Sequence, residues 1–183
     1  MLKTYIALLR GINVSGQKKV PMAELRELLE TSGLQNVTTY IQSGNVIFNA
    51  SNQNSSQLEK QIKKAIMEYF GFDVSVLVKT PKEVQSILEN APFSDKKPEQ
   101  IYFTLLSQIP DPNLVQELRK INYPNEGFVI TDYCVYGYSL IGFGRAKCSN
   151  NFFERKLKVS STSRNYNTMM KLLSLSKEIE VNG

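Results

Sequence analysis

The sequence predicts an α+β protein built as two ferredoxin-like halves, each following the order β-α-β-β-α-β. Three observations predict it. Strand-like and helix-like apolar spacings alternate in that order from Tyr5 to Val78. A polar stretch with two prolines, Pro92 to Gln100, then interrupts the pattern. From Ile101 onward the order repeats as far as a second helix, and an extra C-terminal helix stands where the last strand would be. Residues 1–80 form the first half in this reading and residues 81–183 the second, packed as one structural unit.

Each element has a local cause. Tyr5 to Leu9 is apolar on both alternations, as a strand covered on both faces should be. Pro21 sits where a first-turn helical proline belongs, and Met22, Leu25, Leu28 and Leu29 make one stripe that Gly33 ends. Val37 to Ile41 and Val46 to Phe48 read as strands joined by a turn at Ser43-Gly44-Asn45. Ser56-x-x-Glu59 reads as a capping box opening a helix whose face is Leu58, Ile62, Ala65, Ile66 and Tyr69, stopped by Gly71. Phe72 to Val78 is the last strand of this half.

Thr80-Pro81-Lys82-Glu83 is a second capping box, opening a helix to about Asn90. Ile101 to Leu106 matches the first strand in character. Asp111-Pro112 caps a helix with Leu114, Leu118 and Ile121 on one side. Phe128 to Thr131 and Val135 to Leu140 form a strand pair, and helices over 150–158 and 164–176 close the chain. Tyr166, Met169, Met170 and Leu173 form the core-facing stripe of the last helix.

Composition narrows the function. An apolar fraction of 42% and a charged fraction of 21% describe a globular chain and exclude disordered and fibrous classes. The net charge of +5 permits anionic partners without naming one. The chain has no histidine, and Cys134 and Cys148 form no CxxC pair. A zinc site, a Ser-His-Asp triad and a Cys-His dyad are therefore not expected, nor is any metal or cofactor. Both thiols read as buried. The first ten residues lack a signal-peptide pattern and no segment reaches the ~20 apolar residues of a membrane span, so the expected place is the cytoplasm, off the membrane.

Four segments carry candidate chemistry. Arg10-Gly11-Ile12-Asn13-Val14-Ser15-Gly16-Gln17-Lys18-Lys19 joins a strand end to a helix start, where outward N–H groups and glycines admit an anion. It is not a P-loop: Gly11 and Gly16 have the interval, but Gln17 stands where lysine must be and Lys19 near where a magnesium-binding hydroxyl should be. Gln42-Ser43-Gly44-Asn45 is first a hairpin turn; its amides and hydroxyl could add neutral hydrogen bonds. Asn151-x-x-Glu154 resembles a capping box, followed by Arg155 and Lys156. In Ser163-Arg164-Asn165-Tyr166-Asn167-Thr168, Ser163 reads as an N-cap with Arg164 in the first turn beside Thr168. A cation there opposes the helix dipole by a few tenths to ~1 kcal/mol, and a bound anion would relieve the conflict. Lys18-Lys19 and Arg155-Lys156 look like the same placement. Tyr136, Tyr138 and Phe143 suggest an RNA-recognition strand only faintly, since the basic residue before Gly-aromatic-Gly is absent.

On four motifs the chain resembles the bacterial family called domain of unknown function 1697. They are Arg10-Gly11-Ile12-Asn13-Val14 with Lys19-Val20-Pro21-Met22; Tyr40-Ile41-Gln42-Ser43-Gly44-Asn45-Val46; Phe152-Phe153-Glu154-Arg155-Lys156-Leu157; and Arg164-Asn165-Tyr166-Asn167-Thr168. The resemblance runs through nearly the whole chain and implies an α+β fold of two ferredoxin-like halves. Ser15 stands where the family usually has glycine, and Tyr166 where it usually has tryptophan. The resemblance implies positions but no reaction.

Three functions compete. In the first, the chain binds an anionic ligand: a nucleotide, a phosphorylated metabolite or a nucleic-acid backbone. Arg10, Lys19, Arg155 and Arg164 hold its charge, and Asn13, Gln42, Ser43, Asn45, Asn165, Asn167 and Thr168 read its polar edges. The second is an enzyme acting on a phosphorylated small molecule, with acid–base work left to Glu154, a lysine or Tyr166. In the third, an interaction or structural protein, these motifs only join the two halves.

Overall fold

The computed structural model describes residues 2–14, 16–51 and 53–182. The chain divides into two compact units, Met1–Gln85 with Lys171–Gly183, and Ser86–Met170. The first contains β1 (Leu2–Leu9), α1 (Met22–Thr31), β2 (Gln35–Tyr40), β3 (Asn45–Ser51), α2 (Ser55–Phe70) and β4 (Val76–Lys79). Helix α3 (Pro81–Glu89) leads into the second, which contains β5 (Ile101–Leu106), α4 (Pro112–Arg119), β6 (Glu126–Ile130), β7 (Cys134–Ser139), α5 (Asn150–Leu157) and β8 (Ser161–Asn165). Helix α6 (Tyr166–Asn182) follows. No helix among the described residues is long and apolar enough to cross a membrane.

The sheets have matching orders, β2-β3-β1-β4 and β6-β7-β5-β8, and every pairing is antiparallel. Since β1 and β2 both run antiparallel to β3, they are parallel to each other with β3 between them. That is the split βαβ arrangement in both halves, as expected.

In the first unit, Tyr5, Ala7 and Leu9 of β1 meet Val46, Phe48 and Ala50 of β3, Leu25 and Leu29 of α1, and Leu58, Ile62 and Ile66 of α2. Each valine, leucine, isoleucine or phenylalanine so buried stabilises by about 1.5–3 kcal/mol relative to exposure. The alternate residues Ile6, Leu8 and Ile47 are also fully buried, so both faces of the strand are covered. In the second unit Tyr102 and Leu106 of β5 pack with Leu118, Val135, Phe152, Phe153 and Leu157.

The principal correction lies at the end of the second half. Its last strand is present: β8 pairs with β5, Phe103 opposite Arg164 and Leu105 opposite Thr162. Ser-Thr-Ser-Arg-Asn has no apolar alternation to signal a strand, because polar contacts fix it. Asn150 Oδ1 accepts from the hydroxyls of Ser161 at 3.0 Å and Ser163 at 2.9 Å, and the Ser163 and Thr104 hydroxyls lie 2.6 Å apart. Helix α6 therefore begins at Tyr166, and the Thr168 N–H donates to Asn165 Oδ1 at 2.8 Å, making Asn165 the cap in place of Ser163. The buried face becomes Met169, Leu172, Leu173 and Ser176, and Met170, expected inside, is exposed.

Two expected capping boxes move as well. Helix α2 is capped by Asn54 with Gln57, and α5 by Ser149. Glu59 and Glu154 do something else, and it is the same thing in both halves. Each is the fifth residue of its helix and accepts an N–H of a sheet-edge strand at 2.9 Å, from Val78 in β4 and from Ser161 in β8. The repeat thus extends from element order to a shared side-chain role. Thr80 and Glu83 exchange the expected capping bonds. Tyr69 points outward at the end of α2, and Phe70 packs against the core instead.

Candidate functional site

One end of the first sheet gathers three connections. Where β1 stops, the Leu9 N–H donates to Gly44 O at 2.8 Å and the Arg10 N–H to Ser75 O at 2.9 Å. These bonds join the 10–20 loop to the β2–β3 turn and to the segment before β4. Ile12 and Val20, both 1% exposed, anchor the loop in the core between its polar residues. Asn13 then clamps it. Its Nδ2 donates to Val20 O and Gln42 O, both at 2.9 Å, and its Oδ1 accepts the Val20 N–H at 2.8 Å. Lys18 reaches the third connection, its Nζ donating to Asp73 O at 2.6 Å. The Asp73 carboxylate pairs with Lys63 at 3.0 Å.

Backbone conformation explains why asparagine and glycine recur here. Gly11, Asn13, Gly16, Lys18, Ile41, Gly44 and Gly71 all have positive φ. Asparagine tolerates this region, but a β-branched residue such as Ile41, with φ 50, is a true outlier. Gly44 is required for space too: a Cβ there would lie 2.6 Å from Leu9 Cβ and 3.0 Å from Ile12 Cδ1. Asn45 is fully buried and donates to Tyr40 O at 3.1 Å and Ser43 Oγ at 2.9 Å. Lys19, Gln42 and Ser43 are exposed and Arg10 is half-buried. The fold therefore brings Arg10, Asn13, Lys19, Gln42, Ser43 and Asn45 to one sheet end. Ser15 lies outside the described residues.

The remaining candidates belong to the second unit. Arg164 is 9% exposed, and its Nη1 donates to Thr162 Oγ1 and Ser163 O, both at 2.8 Å. Asn165 caps α6, Asn167 is exposed in its first turn and Thr168 is buried. Arg155 and Lys156 occupy the last turn of α5, where cations favour the helix dipole. The expected conflict at helix starts is therefore absent from both places: Arg164 lies in a strand and Arg155 at a helix end.

Asp73, as the partner of Lys18, and the positive φ of Ile41 have no local mark in the sequence. Gly71, the left-handed stop of α2, was the available signal for a loop at this end, but nothing local pairs Lys18 with Asp73 O across 55 positions. In the second unit the Glu126 carboxylate accepts the N–H groups of Lys147 and Cys148 at 2.8 Å each. Burial, and then the neighbouring Glu126 carboxylate, push the Cys148 thiol up to about 12. Such a thiol is a poor nucleophile. Among the described residues no cluster of histidine, cysteine, aspartate and glutamate is placed to hold a metal.

A family model described as "Protein of unknown function (DUF1697)" matches residues 2–136. The fold is similar to a solved structure titled as conserved bacterial protein SP0830 from Streptococcus pneumoniae. The TM-score is 0.75 at 24% identity, over 96% of this chain and 99% of that one. No curated protein matches the sequence.

Proposed function

The chain belongs to that family, Protein of unknown function (DUF1697), and from this premise we propose that it is a cytoplasmic binding protein for an anionic ligand, a nucleotide or phosphorylated metabolite. The observation that carries the reading is the clamp at Asn13, which holds the basic 10–20 loop against the Gln42-Ser43 turn. Arg10 and Lys19 would then supply charge while Gln42 and Ser43 supply neutral hydrogen bonds. Preorganisation of this kind spares a ligand the cost of ordering the loop. The cytoplasmic assignment draws support from two buried cysteines that form no disulfide.

The test is a thermal-shift series with inorganic phosphate, ATP, polyphosphate and a short single-stranded RNA, at low and high salt. A ligand at 100 times its Kd adds about 2.7 kcal/mol of stability. The expected result is protection by a phosphorylated small molecule that weakens in Lys19→Ala and in Gln42→Ala, neither of which disturbs the fold. Protection by RNA alone, falling steeply with salt, would move the reading to nucleic acid. No shift with any anion, or a shift untouched by both substitutions, sinks it.

A second reading rests on a different observation. Asn13, Asn45 and Asn165 spend their amides on backbone groups and a neighbouring hydroxyl, which favours a scaffold role for much of the polar signature.

A further inference from the structure

Two surfaces of this chain carry opposite charge and matching apolar character. The first is the connection from β7 to α5. Leu140, Ile141 and Phe143 are 49%, 46% and 39% exposed, with Arg145 and Lys147 exposed beside them. This connection is preformed. The Leu140 N–H donates to Asn125 O at 2.9 Å, Ser139 Oγ donates to Gly142 O at 3.2 Å, and buried Glu126 holds the two N–H groups at its far end. The Phe143 ring rests against Tyr102, centroids 4.7 Å apart. Exposed Leu140 and Ile141 stand on this ordered tip with Phe143 packed against Tyr102 beside them, an apolar group of the kind that marks an interaction surface.

The second surface is a groove of about 390 Å³ in the first unit, beside edge strand β2. Val37, Leu175 and Ile179 give it an apolar lining, and Glu30 and Glu178 are exposed at its rim. Strand β2 is blunted there: its register shifts between Gln35 and Thr38, and Asn36, at φ 50, turns its amide onto Asn49 Oδ1 at 2.8 Å. A bulged edge resists strand addition, so the groove suits inserted side chains.

We propose that the chain binds a second copy of itself, the Leu140–Phe143 tip of one molecule entering the Glu30–Glu178 groove of another, with Arg145 and Lys147 facing the two carboxylates. An acidic groove is a local exception on a chain of net charge +5, and the basic apolar tip complements it in sign and character. Both partners of the contact are present in every molecule. Two copies that exchange tips close a dimer, and a one-way contact runs on into longer chains.

Sedimentation across a dilution series tests this. Wild-type protein should gain mass with concentration at low salt and lose it at high salt. Arg145→Glu with Lys147→Glu should weaken association roughly tenfold or more, the factor that 1.4 kcal/mol represents, and Glu30→Lys with Glu178→Lys should do the same. Mixing the two reversed proteins should restore association, since each then offers a tip complementary to the other's groove. Ile141→Asp, at an exposed position, should weaken self-association without reversing the cations. A wild type that stays monomeric at every concentration overturns the proposal. So does association that ignores both reversals, or a mixture that fails to associate while both variants keep the wild-type circular dichroism.

Discussion

At the residue scale, the loop end of the first sheet depends on positions where conformation and space make separate demands. Gly11 and Gly44 both have positive φ, 68° and 75°, but their surroundings differ. A Cβ on Gly11 meets nothing within 4 Å, whereas one on Gly44 collides with Leu9 and Ile12. Gly11→Ala should therefore cost only the left-handed penalty, about 1–2 kcal/mol. Gly44→Ala should add overpacking of about 1–3 kcal/mol, because Leu9 and Ile12 belong to the packed core. Urea midpoints at unchanged m-value measure both, and equal losses would show that the turn yields where the geometry says it cannot. The glycine signal at 44 was legible as a turn. Its contact with β1 was not, since Leu9 and Gly44 lie far apart in sequence.

At the scale of elements, two helices turn a glutamate onto an edge strand, and one of them gives a pH-dependent signature. Burial raises the Glu59 carboxyl above its ordinary value of 4.5, against the opposing pull of the Val78 N–H and then of Lys79. A raised folded value means that the native state holds the proton more tightly than the unfolded chain. The stability from that proton is fully present below the ordinary value and is lost as pH rises through the raised one. Glu59→Gln keeps an acceptor for Val78 and removes the titration. The variant should melt above wild type at neutral pH, and the gap should close as pH falls below 4.5. A gap that stays constant with pH would mean that the ionised carboxylate is not penalised by burial. The matching role of Glu154 was hidden for the same reason that β8 was. Periodicity registers apolar faces, and β8 is held by hydroxyl and amide contacts to Asn150 and Thr104 that leave no such mark. Every element with an apolar face was legible, while the polar strand and the caps that move with it were not.

At the scale of the molecule, the candidate site separated into a part that the fold assembles and a part with local roles. Arg10, Asn13, Lys19 and the Gln42–Asn45 turn meet because β1 and β3 are adjacent; the βαββαβ order implies neighbouring strands but leaves open whether these ends meet. Nothing local marked Arg164 as a strand residue bonded to Thr162. The division of the chain leads to a final prediction. Both cysteines lie in the second unit, buried and outside any disulfide, while the first unit holds none. Thiol labelling therefore reports opening of the second unit alone, and circular dichroism reports the whole chain. Helix α6 is continuous from Tyr166 to Asn182, with its first residues in one unit and the rest in the other. Unfolding the second unit removes the Asn165 cap from that helix, and with it about 1 kcal/mol, so the units should not melt independently. In a urea series the midpoint for exposure of Cys134 and Cys148 should coincide with the midpoint of circular dichroism, the mark of a single cooperative transition. Labelling that completes at lower urea, while most of the helical signal persists, would instead make the second unit an independently opening segment and strip the shared helix of that coupling role.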